Sequence, residues 1–263
     1  MPALYAHERF GAMTRRLLGG ELKDIVQKYS TQFRIGLQGP DIFFFYRAYR
    51  ENKVVRYGNH LHHISTLSFF RHALKVVEKY GRDSRQYAYL LGFICHFTLD
   101  SECHSYVSRM MKETGVAHLE IEEEFEKLLL YLDGKDAPAY PLARLVPTDD
   151  DTVDAICPFY NNIHPKIVKQ SLKDMKTVRR IFRAPGPVRQ TLTNTAMRIA
   201  GKYSTYKGLM LQRKDNPKCT ESNSGLLDRM TDAVEVAVNL INSFDESLQT
   251  GKDLDERFNR TFE

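Results

Sequence analysis

The chain has 263 residues, 42% of them apolar and 27% charged, with a formal net charge of +5. That length supports one large domain with a sizeable core, and the composition excludes an intrinsically disordered chain. No apolar run reaches the roughly 20 residues of a membrane-spanning helix, and the first twenty residues lack the basic start and apolar stretch of a secretory leader, so a cytoplasmic location is expected.

Taken in order, Phe10, Met13 and Leu17 recur at helical spacing within 6–18, and Gly19 and Gly20 stop the pattern. A short helix is expected over 21–29. Residues 36–49, GLQGPDIFFFYRAY, read as an irregular loop because Gly39 and Pro40 oppose regular structure just before Asp41. Ser65 is placed to cap a helix through Tyr80, closed by Gly81. The central helix is expected over 84–111 and the next over 114–132, ended by Gly134. Residues 137–151 carry three prolines and read as a surface connection, with Asp149, Asp150 and Asp151 as a helix N-cap cluster. Further helices fit 165–182, 188–206 and 226–248, the last after a cap at Asn223 or Ser224. No alternating strand pattern and no internal repeat is present. The expected class is all-α, a single multi-helix domain over 1–263.

Charge is distributed in blocks. Residues 91–160 carry 5 basic and 14 acidic side chains, and 161–220 carry 14 basic and 2 acidic. The basic block offers a phosphate-facing or membrane-facing surface; the simpler expectation is that helices of opposite sign lie side by side and complement one another. Cys95, Cys103, Cys157 and Cys219 show no zinc-ribbon spacing, and free thiols in a reducing compartment are expected.

The chemistry concentrates in residues 92–107, GFICHFTLDSECHSYV. His96, Asp100 and His104 are four residues apart each time, which stacks them on one face of a helix with Cβ atoms roughly 5–6 Å apart. Imidazoles and carboxylates in so apolar a segment need a partner, and a metal ion is the economical one. Eight of the nine histidines lie in the first 118 residues, and His118 is followed by Glu122, a second pair at the same spacing. Two adjacent helices, each presenting such a pair inward, can build a site for more than one ion. His72 and His164 read as ordinary helix-surface residues. Phe43, Phe44 and Phe45 read as core, with a lipid-facing or choline-accepting rim as the alternative.

These residues resemble the bacterial zinc-dependent phospholipases C, whose fold is shared with the single-strand-specific zinc nucleases. In that family an early histidine, an aspartate after proline, a further histidine, an HxxxD with a nearby histidine, and an HxxxE hold three zinc ions in an all-α domain. The matching positions here are His7, Asp41 after Pro40, one histidine of NHLHH, His96 with Asp100, His104, and His118 with Glu122. Among His60, His62 and His63 the pattern Gly-x-x-Leu favours His62. The resemblance implies that Asp41, His62, His96 and Asp100 surround one ion, that His104, His118 and Glu122 surround a second, and that His7 with a bridging Asp100 serves a third. Zinc is thus expected at two sites, with the third left open. Secreted members complete that third site with an N-terminal tryptophan. This chain has no tryptophan; the Pro2 amine, exposed on removal of Met1, is the substitute considered.

The implied reaction is hydrolysis of a glycerophospholipid by metal-activated water to diacylglycerol and a phosphorylated head group, with Asp41 as a candidate general base besides its role as ligand. Phospholipid is the expected partner, with transient contact to a membrane surface and no transmembrane segment. Two alternatives keep the metal: a zinc nuclease on single-stranded nucleic acid, disfavoured by sparse aromatic residues in the basic block, and a non-catalytic zinc-binding interaction or storage protein. A di-iron carboxylate bundle would want ExxH motifs, which the histidine-first order here does not supply.

Overall fold

The computed structural model describes residues 3–262, and every regular element among them is helical. In chain order these are α1 (Leu4–Leu17), α2 (Gly20–Lys28), α3 (Ser30–Gly36), a 3-10 helix (Gly39–Phe45), α4 (Lys53–His63), α5 (Leu67–Tyr80), α6 (Arg85–Thr114), α7 (His118–Leu132), α8 (Asp150–Ile156), α9 (Pro165–Ile181), α10 (Pro187–Ile199), α11 (Tyr203–Tyr206) and α12 (Thr220–Thr250), with short 3-10 turns between several of them. The expected all-α class is what the chain adopts.

Helix α6 is the axis. Every residue from 87 to 100 is buried, and a helix without a solvent face must be surrounded by other elements. Helices α1, α3, α5, α8 and α12 pack around it. It starts where Ser84 Oγ accepts the Tyr87 N–H and stops at Gly115, whose φ of +70° only glycine adopts without strain. Helix α3 crosses α6 at backbone contact. A Cβ on Gly36 would lie 2.1 Å from the Tyr89 carbonyl oxygen, and one on Gly92 would lie 2.1 Å from that of Phe33. This crossing carries the turn after α3 onto the middle of α6, where His96 sits.

The differences from the sequence reading have local causes. Residues 36–49 are not wholly irregular: Pro40 sits in the first turn of the 3-10 helix, where its missing N–H costs nothing. Helix α4 was not expected, because KVVRYGNHLHH combines Gly58, three histidines and a β-branched pair. Tertiary contacts and an Asn52 cap, whose Oδ1 accepts the Val54 and Val55 N–H groups at 3.0 Å each, hold it. Gly115 separates α6 from α7, so the latter starts at His118 rather than 114. Gly201, at φ +65°, divides 188–206 into α10 and α11. Helix α12 begins at Thr220, which puts Asn223 and Ser224 inside it rather than at its cap. Ser65 Oγ does accept the Leu67 N–H, and Asp149 caps α8 through Thr152.

One apolar core runs from Ala3 to Phe262, and a small satellite of Ala184, Met197 and Met210 lies under α10. The four cysteines are free. The basic and acidic blocks meet at Lys207–Glu120, Lys169–Asp150 and Lys127–Asp215. No helix among the described residues is long and apolar enough to cross a membrane.

Candidate metal centre

Five elements deliver eight ligand-type side chains to one buried region. Helix α1 turns His7 inward with Leu4, Ala6 and Phe10, and the 3-10 helix buries Asp41. Helix α4 contributes His62, the buried histidine of NHLHH; His60 and His63 are exposed. Helix α6 contributes His96, Asp100 and His104. Helix α7 contributes Glu122, buried, and His118, part-buried at the edge.

The side chains form two compact groups. Ligand atoms of Asp41, His62, His96 and Asp100 lie within 4.8 Å of one another, and so do those of His104, His118 and Glu122. Asp100 joins the groups. Its Oδ2 is 3.3 Å from His96 Nε2, and its Oδ1 is 3.3 Å from His7 Nε2 and 3.8 Å from His104 Nε2. The two carboxylate oxygens therefore face different imidazoles. His62 Nε2 lies 2.9 Å from Asp41 Oδ1, and His118 Nε2 lies 2.5 Å from Glu122 Oε1. The rings of His7 and His96 lie 4.5 Å apart between centroids, tilted by 33°. The Pro2 amine lies outside the described residues.

Backbone carbonyls orient the rings. His62 Nδ1 donates to Gly58 O at 2.8 Å, and His96 Nδ1 to Leu37 O at 3.2 Å. Each bond puts a proton on Nδ1 and turns Nε2 toward the carboxylates, the orientation that metal-ligating histidines require. Burial pushes the His96 imidazole down to about 3 and lowers that of His104, so both rings are neutral and able to donate to a cation. Among the described residues, Nε2 of His7, His96 and His104 and Oε2 of Glu122 are buried without a hydrogen bond. Buried polar atoms are rarely left so, and four converging on one region mark a place for an ion. Nitrogen and carboxylate oxygen donors in this mixture suit zinc.

A family profile described as zinc dependent phospholipase C matches residues 6–174. The chain belongs to the zinc-dependent phospholipase C family. No curated protein and no solved structure shows significant similarity to it. The matched span contains all eight of these side chains, and the family's zinc dependence agrees with the donor set.

In this phospholipase C-family chain the ligand groups open onto a cavity of about 560 Å³. His62, His104 and His118 line it together with Phe44, Val178, Phe182, Tyr206 and Leu209. Among the described residues, no lysine, arginine, aspartate or glutamate lines it. The three phenylalanines thus divide: Phe43 is core, Phe45 is buried in the core and also lines the cavity, and Phe44 lines the cavity and packs on the His62 ring at 4.8 Å.

Several supporting residues escaped the sequence reading. Phe262, near the C-terminus, packs on both His62 and His96, with centroids 4.8 and 5.5 Å away. Glu126, one turn after Glu122, is buried and accepts the Tyr5 backbone N–H. Burial raises its carboxyl pKa, and Arg179 opposes the rise. Arg179 belongs to the basic block yet is itself buried, over the Phe45 ring; burial lowers its guanidinium pKa, and Glu126, Asp41 and Glu122 counter that. Glu126 had a signal, the i+4 spacing from Glu122; Phe262 and Arg179 had none short of the fold. Of the two remaining helix histidines, His164 is exposed at the start of α9, where its Nδ1 accepts the Lys166 N–H, and His72 is half-buried on α5 and bonds through Nε2 to Pro158 O at 2.8 Å.

Proposed function

We propose that this chain is a phospholipase C-type phosphodiesterase that cleaves a glycerophospholipid to diacylglycerol and a phosphorylated head group. The observation that carries the substrate class is the union of the two ligand groups with an uncharged, largely apolar cavity. A nucleic-acid strand would want cations along its path, and the cavity wall supplies none. An acyl-glycerol moiety suits such a wall through apolar contact alone.

In this reading Asp41, His62, His96 and Asp100 hold one zinc ion, His104, His118 and Glu122 hold a second, and Asp100 with His7 offers a third position. When bound, zinc supplies Lewis acidity that lowers the pKa of water toward neutrality and offsets charge on phosphoryl oxygens. The chain's own contribution is placement. Leu37 and Gly58 carbonyls fix the His96 and His62 rings, and Asp41, bonded to His62, is positioned to accept a proton as general base. Residues 1–263 act as one domain here, because the core that supports the site is continuous from α1 to Phe262.

Elemental analysis together with hydrolysis of a short-chain phosphatidylcholine and of single-stranded RNA, with and without chelator, tests the reading. Zinc at two or three per chain with chelator-sensitive release of phosphocholine supports it. Zinc bound with neither substrate cleaved would favour a non-catalytic metal protein, and RNA cleavage alone would favour a nuclease.

A further inference from the structure

Helix α10 lies beyond the span that matches the family, which ends at 174. Its inner face, Asn194 and Met197, is buried on the satellite core. Its outer face is apolar where water should favour polar side chains. Val188 is 71% exposed, Leu192 64% and Ile199 84%. At 3.6 residues per turn, these three and Thr195 fall within about 60° of one another, a single outward ridge. Arg189 lies on one flank of the ridge and Arg198 on the other, both exposed, and Lys202 follows in the turn after the helix.

Arg189 and Arg198 pair with no carboxylate among the described residues, nor does Lys202; Arg189 bonds to the Arg180 and Ile181 carbonyls, and Arg198 lies over the Tyr203 ring. Elsewhere in the basic block Lys169 and Lys207 do pair with carboxylates; what sets the α10 cations apart is that they flank an exposed apolar ridge. An apolar ridge between arginines is the pattern of a helix that lies in a membrane interface: aliphatic side chains enter the acyl boundary and guanidinium groups meet phosphates.

The segments that flank α10 in the chain reach the cavity. Val178 and Phe182, just before it, and Thr205 and Tyr206, just after it, line the cavity wall. Tyr49, another wall residue, is 80% exposed, and tyrosine is favoured at a lipid-water boundary.

We propose that α10 is an interfacial docking helix: Val188, Leu192 and Ile199 insert into the surface of an anionic phospholipid bilayer, Arg189, Arg198 and Lys202 engage its phosphates, and the docked helix sets the cavity against the lipid. The inference rests on the phospholipid reading above for its purpose, but vesicle binding tests it without turnover. A nucleic-acid contact is less well served, because the centre of the face is aliphatic and offers no ring for stacking.

The test is co-sedimentation of the zinc-loaded full chain with phosphatidylcholine vesicles, with and without about a third phosphatidylserine. Binding is expected to the anionic vesicles and to weaken with salt. The variant Val188→Asp/Leu192→Asp/Ile199→Asp should lose about tenfold or more in partitioning, with unchanged far-UV circular dichroism and unchanged hydrolysis of monomeric short-chain lipid. Leu192→Ser alone should shift binding in the same direction, which keeps the test valid if the triple variant unfolds. Arg189→Gln/Arg198→Gln should remove much of the preference for anionic vesicles, and Leu132→Asp, an exposed change on α7, should alter nothing. Failure of the native chain to bind either vesicle overturns the proposal, as does wild-type binding by the triple variant. A concentration-dependent dimer that the triple variant dissolves, without vesicle binding, also overturns it and assigns the ridge to a second copy. Vesicle binding that needs α10 with no lipid hydrolysed refutes the hydrolase reading alone; hydrolysis with α10-independent binding refutes docking alone.

Discussion

Asp100 has no solvent exposure and lies among three imidazoles, with one oxygen toward His96 and the other toward His7 and His104. A buried carboxylate is costly unless cations or hydrogen bonds compensate it, and an oxygen shared between ligand groups suits a bridge. Asp100→Asn keeps the shape and removes the charge; zinc affinity, read by chelator competition, should fall by about 100-fold or more. The histidines add a pH dependence. Because burial pushes His96 down to about 3 from an ordinary 6.5, the ring is neutral in the fold and gains a proton on unfolding below pH 6.5. Its contribution to stability is therefore complete above about pH 6.5 and is lost as pH falls toward about 3. In metal-free protein, NMR should find His96 still neutral at about pH 5. For His62 burial alone would lower the pKa, but the bond to Asp41 outweighs it and the pKa rises, so that ring should be protonated there. His96, Asp100, His104, His118 and Glu122 were legible in the sequence because a helix converts four-residue spacing into one face. The carbonyls of Leu37 and Gly58 were not, since a backbone acceptor leaves no compositional trace.

At the scale of elements, the site depends on two close approaches. Gly39 has φ +45°, and a Cβ there would lie 2.2 Å from His96 Cδ2. Gly39→Ala should therefore displace the His96 ring, with zinc affinity down by about 10–100-fold and stability down by about 1–3 kcal/mol, read by chelator titration and urea unfolding. Gly36→Ala meets backbone rather than a side chain, so α3 and α6 must separate and the cost should be about 3 kcal/mol or more. Phe262→Ala leaves the helices intact but removes the ring supporting His62 and His96; its signature should be weaker zinc binding with a larger effect on affinity than on secondary structure. The long helices were readable because Ser84 and Gly134 punctuate them, whereas the stop at Gly115 went unread. Helix α4 was hidden, since its stability comes from the Asn52 cap and from burying Val54, Gly58 and His62 rather than from propensity.

For the molecule as a whole, the ligands come from α1, the 3-10 helix, α4, α6 and α7, so an ion that binds them links the first 122 residues into one unit. Anything that binds the native state alone stabilises it, by about 4 kcal/mol when present at a thousand times its dissociation constant. Chelation should lower the melting temperature by several degrees, with recovery on adding zinc and no recovery in Asp100→Asn. The charge blocks show what a linear reading cannot resolve. Lys207 and Lys169 meet carboxylates as expected, Arg179 is buried beside the site, and the α10 arginines remain outside; only the packing sorts one basic run into three roles. The most direct test is phosphocholine release from short-chain phosphatidylcholine by the wild type and by folded Asp100→Asn, before and after chelation. The expected result is wild-type activity that chelator abolishes and zinc restores, with none in the variant. Chelator-resistant release, or full activity in Asp100→Asn, would contradict a zinc-dependent phospholipase C reaction at this centre.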